Sequence, residues 1–155
     1  MGLSFRSSRF LAFDVRSAFV AQFEKVVNEI RTKISVLPYR ADESSAIELT
    51  GLLDTGAQFS VITPRVAELL KLEAVDLKKA YTANGWYETP VYRLDAILPC
   101  GVRVTGLRVS TGDLMVCDML IGMDIIKHGD MLLTNSPNTS FTFRIPAKGN
   151  VPIGA

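Results

Sequence analysis

Hydrophobic and polar positions change period several times along the chain. From Asp14, residues Val15, Phe19, Phe23, Val26 and Ile30 recur at spacings of three and four, one stripe of a helix. Asp14 is placed to cap that helix, and Gln22, Glu24, Lys25, Asn28 and Glu29 supply its polar side. Such a helix would pack on the domain or act as a regulatory or dimer-contacting segment. From Lys33 the period drops to two, with Ile34 and Val36 alternating with Lys33 and Ser35. After a polar loop at Arg40 to Ser45, a second strand is expected over Ala46 to Leu53 and a short one over Ser60 to Thr63. Thr63-Pro64 then looks like an N-cap followed by proline in the first helical turn, with Val66, Leu69 and Leu70 on the apolar side.

Asn84-Gly85, between Tyr81-Thr82-Ala83 and Trp86-Tyr87, is a strong short hairpin signal. Its return strand carries Tyr92, Leu94, Ala96 and Leu98 on one face and Arg93, Asp95 and Ile97 on the other. Cys100-Gly101 turns the chain into Val102, Val104, Leu107 and Val109, with a bulge expected at Gly106. Met119 to Ile121 suits a buried strand broken by Gly122. Asp124 to His128 suits a short helix ended by Gly129. Met131 to Thr134 and Ser140 to Ile145 suit a last strand pair, in which Phe141, Phe143 and Ile145 alternate with Thr142 and Arg144. The fold class is therefore mostly β, with short helices.

One stretch stands apart. Leu52-Leu53-Asp54-Thr55-Gly56-Ala57 runs an apolar strand into an acid, and apolar β-formers resume at Phe59, Val61 and Ile62. A buried acid costs several kcal/mol, roughly, unless it is hydrogen-bonded or neutralised. A tight turn in which Asp54 bonds its own backbone would also account for the residue.

Composition narrows the rest. A chain of 155 residues with 48% hydrophobic content is one domain's worth. A formal charge of +1 points neither to nucleic acid nor to an anionic membrane surface. A single histidine disfavours most zinc sites and a serine–histidine triad. Asp113, Asp118 and Asp124 could join Asp54 around a metal, but they fall on separate turns, so neither metal nor cofactor is expected. Cys100 and Cys117 fit no metal spacing and are expected as thiols in a reducing, cytoplasmic location. No run is long enough to span a membrane. Arg6, Arg9 and Arg16 among Ser and Phe faintly resemble a transit peptide.

Taken in order, Asp54-Thr55-Gly56-Ala57, the Asn84-Gly85 hairpin and Leu120-Ile121-Gly122 resemble the retropepsin-like, single-lobe aspartic proteases. The likeness runs from about Lys33 to Pro146. Leu120 to Ile126 and Phe141 to Pro146 look most like the bacterial Gag-polyprotein-type aspartyl proteases. This resemblance implies a domain over 32–147, an extension over 1–31 holding the amphipathic helix, and a tail over 148–155. It implies that Asp54 activates a water, that Thr55 locks the loop across a dimer axis and that Gly56 lets backbone come close. Ala57, Ala83, Asn84, Gly85, Trp86, Leu120 and Ile121 would meet an extended, largely apolar polypeptide substrate, under a flap spanning Tyr81 to Val91. One Asp-Thr-Gly per chain implies a homodimer, since the chemistry needs two carboxylates sharing a proton.

Two positions depart from the viral pattern. Gln58 and Met123 stand where those relatives commonly carry an acid and an arginine. A non-catalytic module of the same fold, binding peptides or dimerising, is the alternative, and a precursor activated by losing its N-terminal helix is a third reading.

Overall fold

The computed structural model describes residues 18–147, the side chain of Thr82 excepted. The start expected at Met1 to Phe13, the cap at Asp14 and the tail at 148–155 lie outside the described residues.

Period-two patterning produces most of the molecule. Strands β2 (Arg31–Pro38) and β3 (Ile47–Leu53) pair antiparallel, with Lys33 opposite Thr50 and Val36 opposite Ile47. Ile34, Val36 and Leu49 point into the core. A short β4 (Val61–Ile62) leads to α1 (Pro64–Leu69). Thr63 has the extended backbone of an N-cap, though its side chain makes no capping bond. Val66, Ala67 and Leu70 are buried, whereas Leu69, expected on the apolar side, is exposed. Next come β5 (Ala74–Thr82), β6 (Gly85–Ile97) and β7 (Arg103–Thr111). Strand β8 (Met119–Ile121) runs into α2 (Met123–Ile126), and β9 (Asp130–Thr134) and β10 (Ser140–Arg144) complete the chain.

The larger sheet has the order β2-β3-β8-β4-β7-β6-β5, and β2 also pairs with β6. Six strands therefore close into a barrel, and β5 stands outside it as the free arm of a hairpin. Closure removes the sheet edges that would otherwise need protection. Leu94, Ala96, Val109, Met119 and Ile121 fill the interior, and α1 and α2 plug it with Val66, Ile125 and Ile126.

The bulge at Gly106 forms as the pattern predicts. Leu94 faces Leu107 and Ala96 faces Val104, so Asp95 opposes two residues, and Gly106 takes φ +74°. Asp95, however, does not face solvent. It is 0% exposed and accepts hydrogen bonds from Gly106 N (2.7 Å), Arg40 N (3.0 Å) and the Arg103 guanidinium (2.7 and 3.0 Å). Arg144, placed by alternation on the polar side of β10, is likewise buried and pairs with Asp130.

The N-terminal helix is overturned where it can be seen. Ala18–Gln22 is strand β1, antiparallel to β10 with Phe19 opposite Phe143 and Ala21 opposite Phe141. Phe23 N and Val27 N are then tied to Thr139. Phe19, Val20 and Val26 have weak helix propensity, and the same apolar residues satisfy an alternating pattern. The edge of β10 offered a ladder that an isolated helix could not match, so tertiary pairing decided the conformation. The small sheet β1-β10-β9 presents Phe19, Phe141 and Phe143 to the core, the ring of Phe19 lying 6.2 and 5.8 Å from the other two. Among the described residues no helix is long and apolar enough to cross a membrane.

Candidate active site

Asp54 follows directly on β3, where the strand leaves the barrel. Its backbone is fixed on both sides before its side chain is considered. Leu53 N donates to Ile30 O and Asp54 N donates to Ile121 O, each at 3.0 Å. The second bond is possible because β8 lies parallel to β3, Leu52 beside Leu120 and Leu53 beside Ile121. The chain then folds back. Gly56 N donates to Asp54 Oδ1 at 2.9 Å and Ala57 N donates to Asp54 O at 3.2 Å. Asp54 is half-buried, while Thr55 and Gly56 lie at the surface. The self-bonded turn is thus present, made through Asp54 Oδ1.

The far side of the loop is clamped by the Gly122 corner. Met123 N donates to Ala57 O at 2.8 Å. Ser60 Oγ donates to Asp124 Oδ1 (2.7 Å) and accepts from Gly122 N (3.1 Å), and Ser60 N donates to Asp124 Oδ2 (2.9 Å). Gly122 is obligatory for this approach. A Cβ there would stand 2.7 Å from the carbonyl carbon of Phe59 and 3.0 Å from Ala57 O, both backbone atoms. Where the viral pattern has an acid and an arginine, this chain holds its loop with Ser60, Asp124 and main-chain bonds. Asp124 Oδ1 also accepts from Ile125 N at 3.0 Å, within the first turn of α2, whose N-cap is Gly122. The sequence pattern did not single out Ser60. A buried serine two residues before an apolar strand's end gives no periodic signal.

The sequence-expected residues fall into two groups. Asp54, Thr55, Gly56, Ala57, Leu120 and Ile121 come together around one loop, Ile121 buried and Leu120 half-buried. Ala83, Asn84, Gly85 and Trp86 lie at the tip of the β5–β6 hairpin. There the turn is shifted by one residue from the pattern. Thr82 pairs with Gly85, so Ala83 and Asn84 form the turn, and Gly85 follows it at φ +125°, a conformation that glycine alone adopts cheaply.

Pairing register also sorts the hairpin's faces, because directly opposed residues project to the same side. Lys78 with Thr89 and Ala80 with Tyr87 form one face; Lys79 with Glu88 and Tyr81 with Trp86 form the other. The first is turned toward the Asp54 loop. Lys78 Nζ sits 4.5 Å over the ring of Phe59, five residues after Asp54, and Thr89 Oγ1 donates to Thr111 O on β7. Trp86, 56% exposed, lies on the opposite face with Lys79 Nζ 4.3 Å over its ring.

Cys100 and Cys117 are unbridged and half-buried, and burial pushes the Cys117 thiol above its ordinary range. Among the described residues no group of three or more His, Cys, Asp or Glu side chains is placed to hold a metal ion.

The profile of the family described as "gag-polyprotein putative aspartyl protease" matches residues 46–128, which includes the Asp54 loop, the hairpin and the Gly122 corner. Among solved structures, the chain is similar to a retropepsin-like aspartic protease from Rickettsia conorii. The two are 17% identical, with 83% of this chain and 94% of that one covered and a TM-score of 0.54. It is also similar to the EIAV protease complexed with the inhibitor HBY-793, at 20% identity over 69% of this chain and 92% of that one, TM-score 0.49. The Simian Foamy Virus (mac) protease aligns at 14% identity over 63% and 92%, TM-score 0.47. The fold likeness rests on the first of these. No curated protein matches the chain.

Proposed function

Since the chain belongs to the gag-polyprotein aspartyl protease family and has the retropepsin-like fold, we propose that it is a homodimeric aspartic endopeptidase acting on extended polypeptide segments. The observation that carries this is the placement of Asp54. Its loop is held from both ends, yet Thr55 and Gly56 lie at the surface, where a second copy of the loop can meet it.

Two Asp54 carboxylates brought together cannot both ionise easily, so the pair holds one proton. The ionised member takes a proton from a water as its oxygen adds to the scissile carbonyl carbon. The protonated member gives its proton to the carbonyl oxygen. The resulting diol then collapses, the C–N bond breaks, and the amine leaves with a proton returned through the dyad. Thr55 stabilises the paired loops across the two-fold axis, and Gly56 allows substrate backbone close to the carboxylates. The β5–β6 hairpin is the flap. Substrate lies beneath it as an added strand, with Leu120 and Ile121 behind the loop.

Asp54→Asn should reduce peptide hydrolysis at least ~1000-fold, a barrier increase of about 4 kcal/mol, while sedimentation still shows a dimer. Wild-type rates in that variant would rule out the mechanism.

A further inference from the structure

Lys78 would be an unusual residue for the wall of a peptide cleft. It lies on the hairpin face turned to the Asp54 loop, its ammonium 4.5 Å over the Phe59 ring. Among the described residues it has no carboxylate partner, whereas Lys33 is paired to Glu48 and Arg108 to Asp76. Asp76, two residues before Lys78 on the same face, is held by Arg108 at 2.6 Å, and Glu88 belongs to the opposite face with Lys79. A cation–π contact orients an ammonium but leaves its charge uncancelled. Covering the cleft with peptide lowers the local dielectric and makes that charge a stronger attractor than it is in water.

Resting on the peptidase reading above, we propose that Lys78, steadied by Phe59, selects polypeptides carrying an acidic side chain near the scissile bond. An extended substrate points alternate side chains to one wall, so a single position per half-site meets the ammonium. With two copies of Lys78 in a dimer, the preference occurs once on each side of the cleaved bond. Lys78 is then a specificity-determining residue. The two copies of Lys78 would then select one class of peptide, acidic on both flanks of the cleaved bond.

The test uses the full-length protein and peptides identical except for Glu, Gln or Lys scanned through the positions flanking the cleavage site. Glu should exceed Gln by about tenfold in kcat/KM at one position on each side, falling as salt is raised. Lys78→Met should bring that ratio near one, Lys78→Arg should retain it, and Lys78→Glu should favour Lys. Lys79→Met, on the other face, should leave the ratio in place. A ratio near one in the wild type, or one that survives Lys78→Met, overturns the proposal. Binding of the Glu and Gln peptides to Asp54→Asn, measured by calorimetry, separates the two readings. If neither peptide is cut by the wild type but Glu binds better through Lys78, the peptidase reading fails and only the preference of Lys78 for acidic peptides survives. If the peptides bind equally, this one fails.

Discussion

The carboxylate of Asp95 sits wholly inside the barrel wall, where Gly106 N, Arg40 N and Arg103 all donate to it. Burial alone would push its pKa up. The hydrogen bonds and the Arg103 charge outweigh that and hold it below the ordinary carboxylate value. A depressed folded value means the unfolded chain binds more protons in acid. The stabilisation is therefore complete above the unfolded value, about 3.9, and drains away as pH falls through the folded one. Urea denaturation followed by circular dichroism should show stability falling below about pH 4. Asp95→Asn should flatten that slope and cost about 2–3 kcal/mol at neutral pH, because Arg103 keeps its charge in a half-enclosed place. An unchanged slope would mean another acid is responsible. Alternation in β6 had set Asp95 outward with Arg93. Arg40 N, Arg103 and the Gly106 bulge close over that face and bury it, and the alternation of β6 does not report what covers a face.

At the scale of elements, strands with their own alternation were legible in advance. β2, β3, β8 and β10 lie within a residue or two of where Ile34/Val36, Leu49, Met119/Ile121 and Phe141/Phe143 place them. Ala18–Gln22 was not, because its residues suit two periods and the partner that settles the choice lies at the far end of the chain. The Asp54 loop was legible because its chemistry is local. Its clamp was not, since Ser60 and Asp124 meet only through the fold. Strand β1 also bears on the idea of an inhibitory N-terminal segment. Phe19 packs on Phe141 and Phe143, so the segment is part of the core. Phe19→Ala should lower stability by about 2–3 kcal/mol in thermal or urea unfolding without raising peptidase activity. A gain in activity at unchanged stability would instead identify a removable pro-segment.

For the whole molecule, the proposed mechanism makes activity a property of an assembly. Each chain offers one Asp54, so hydrolysis per chain should climb with protein concentration and level off once sedimentation shows the dimer filled. Activity that stays constant into the monomer range would contradict the shared site. The barrel's topology sets a further condition, in time. The contacts that shape the Asp54 loop come from β8 and α2, and Ser60 waits for Asp124, 64 residues later. At synthesis rates of about 5–20 residues per second, roughly 3–13 seconds separate the emergence of the two. Through that interval a nascent chain carries the acid without the scaffold that aims it. On the proposed mechanism, a growing chain beside its neighbours on one message should stay inert until β8 and α2 have emerged.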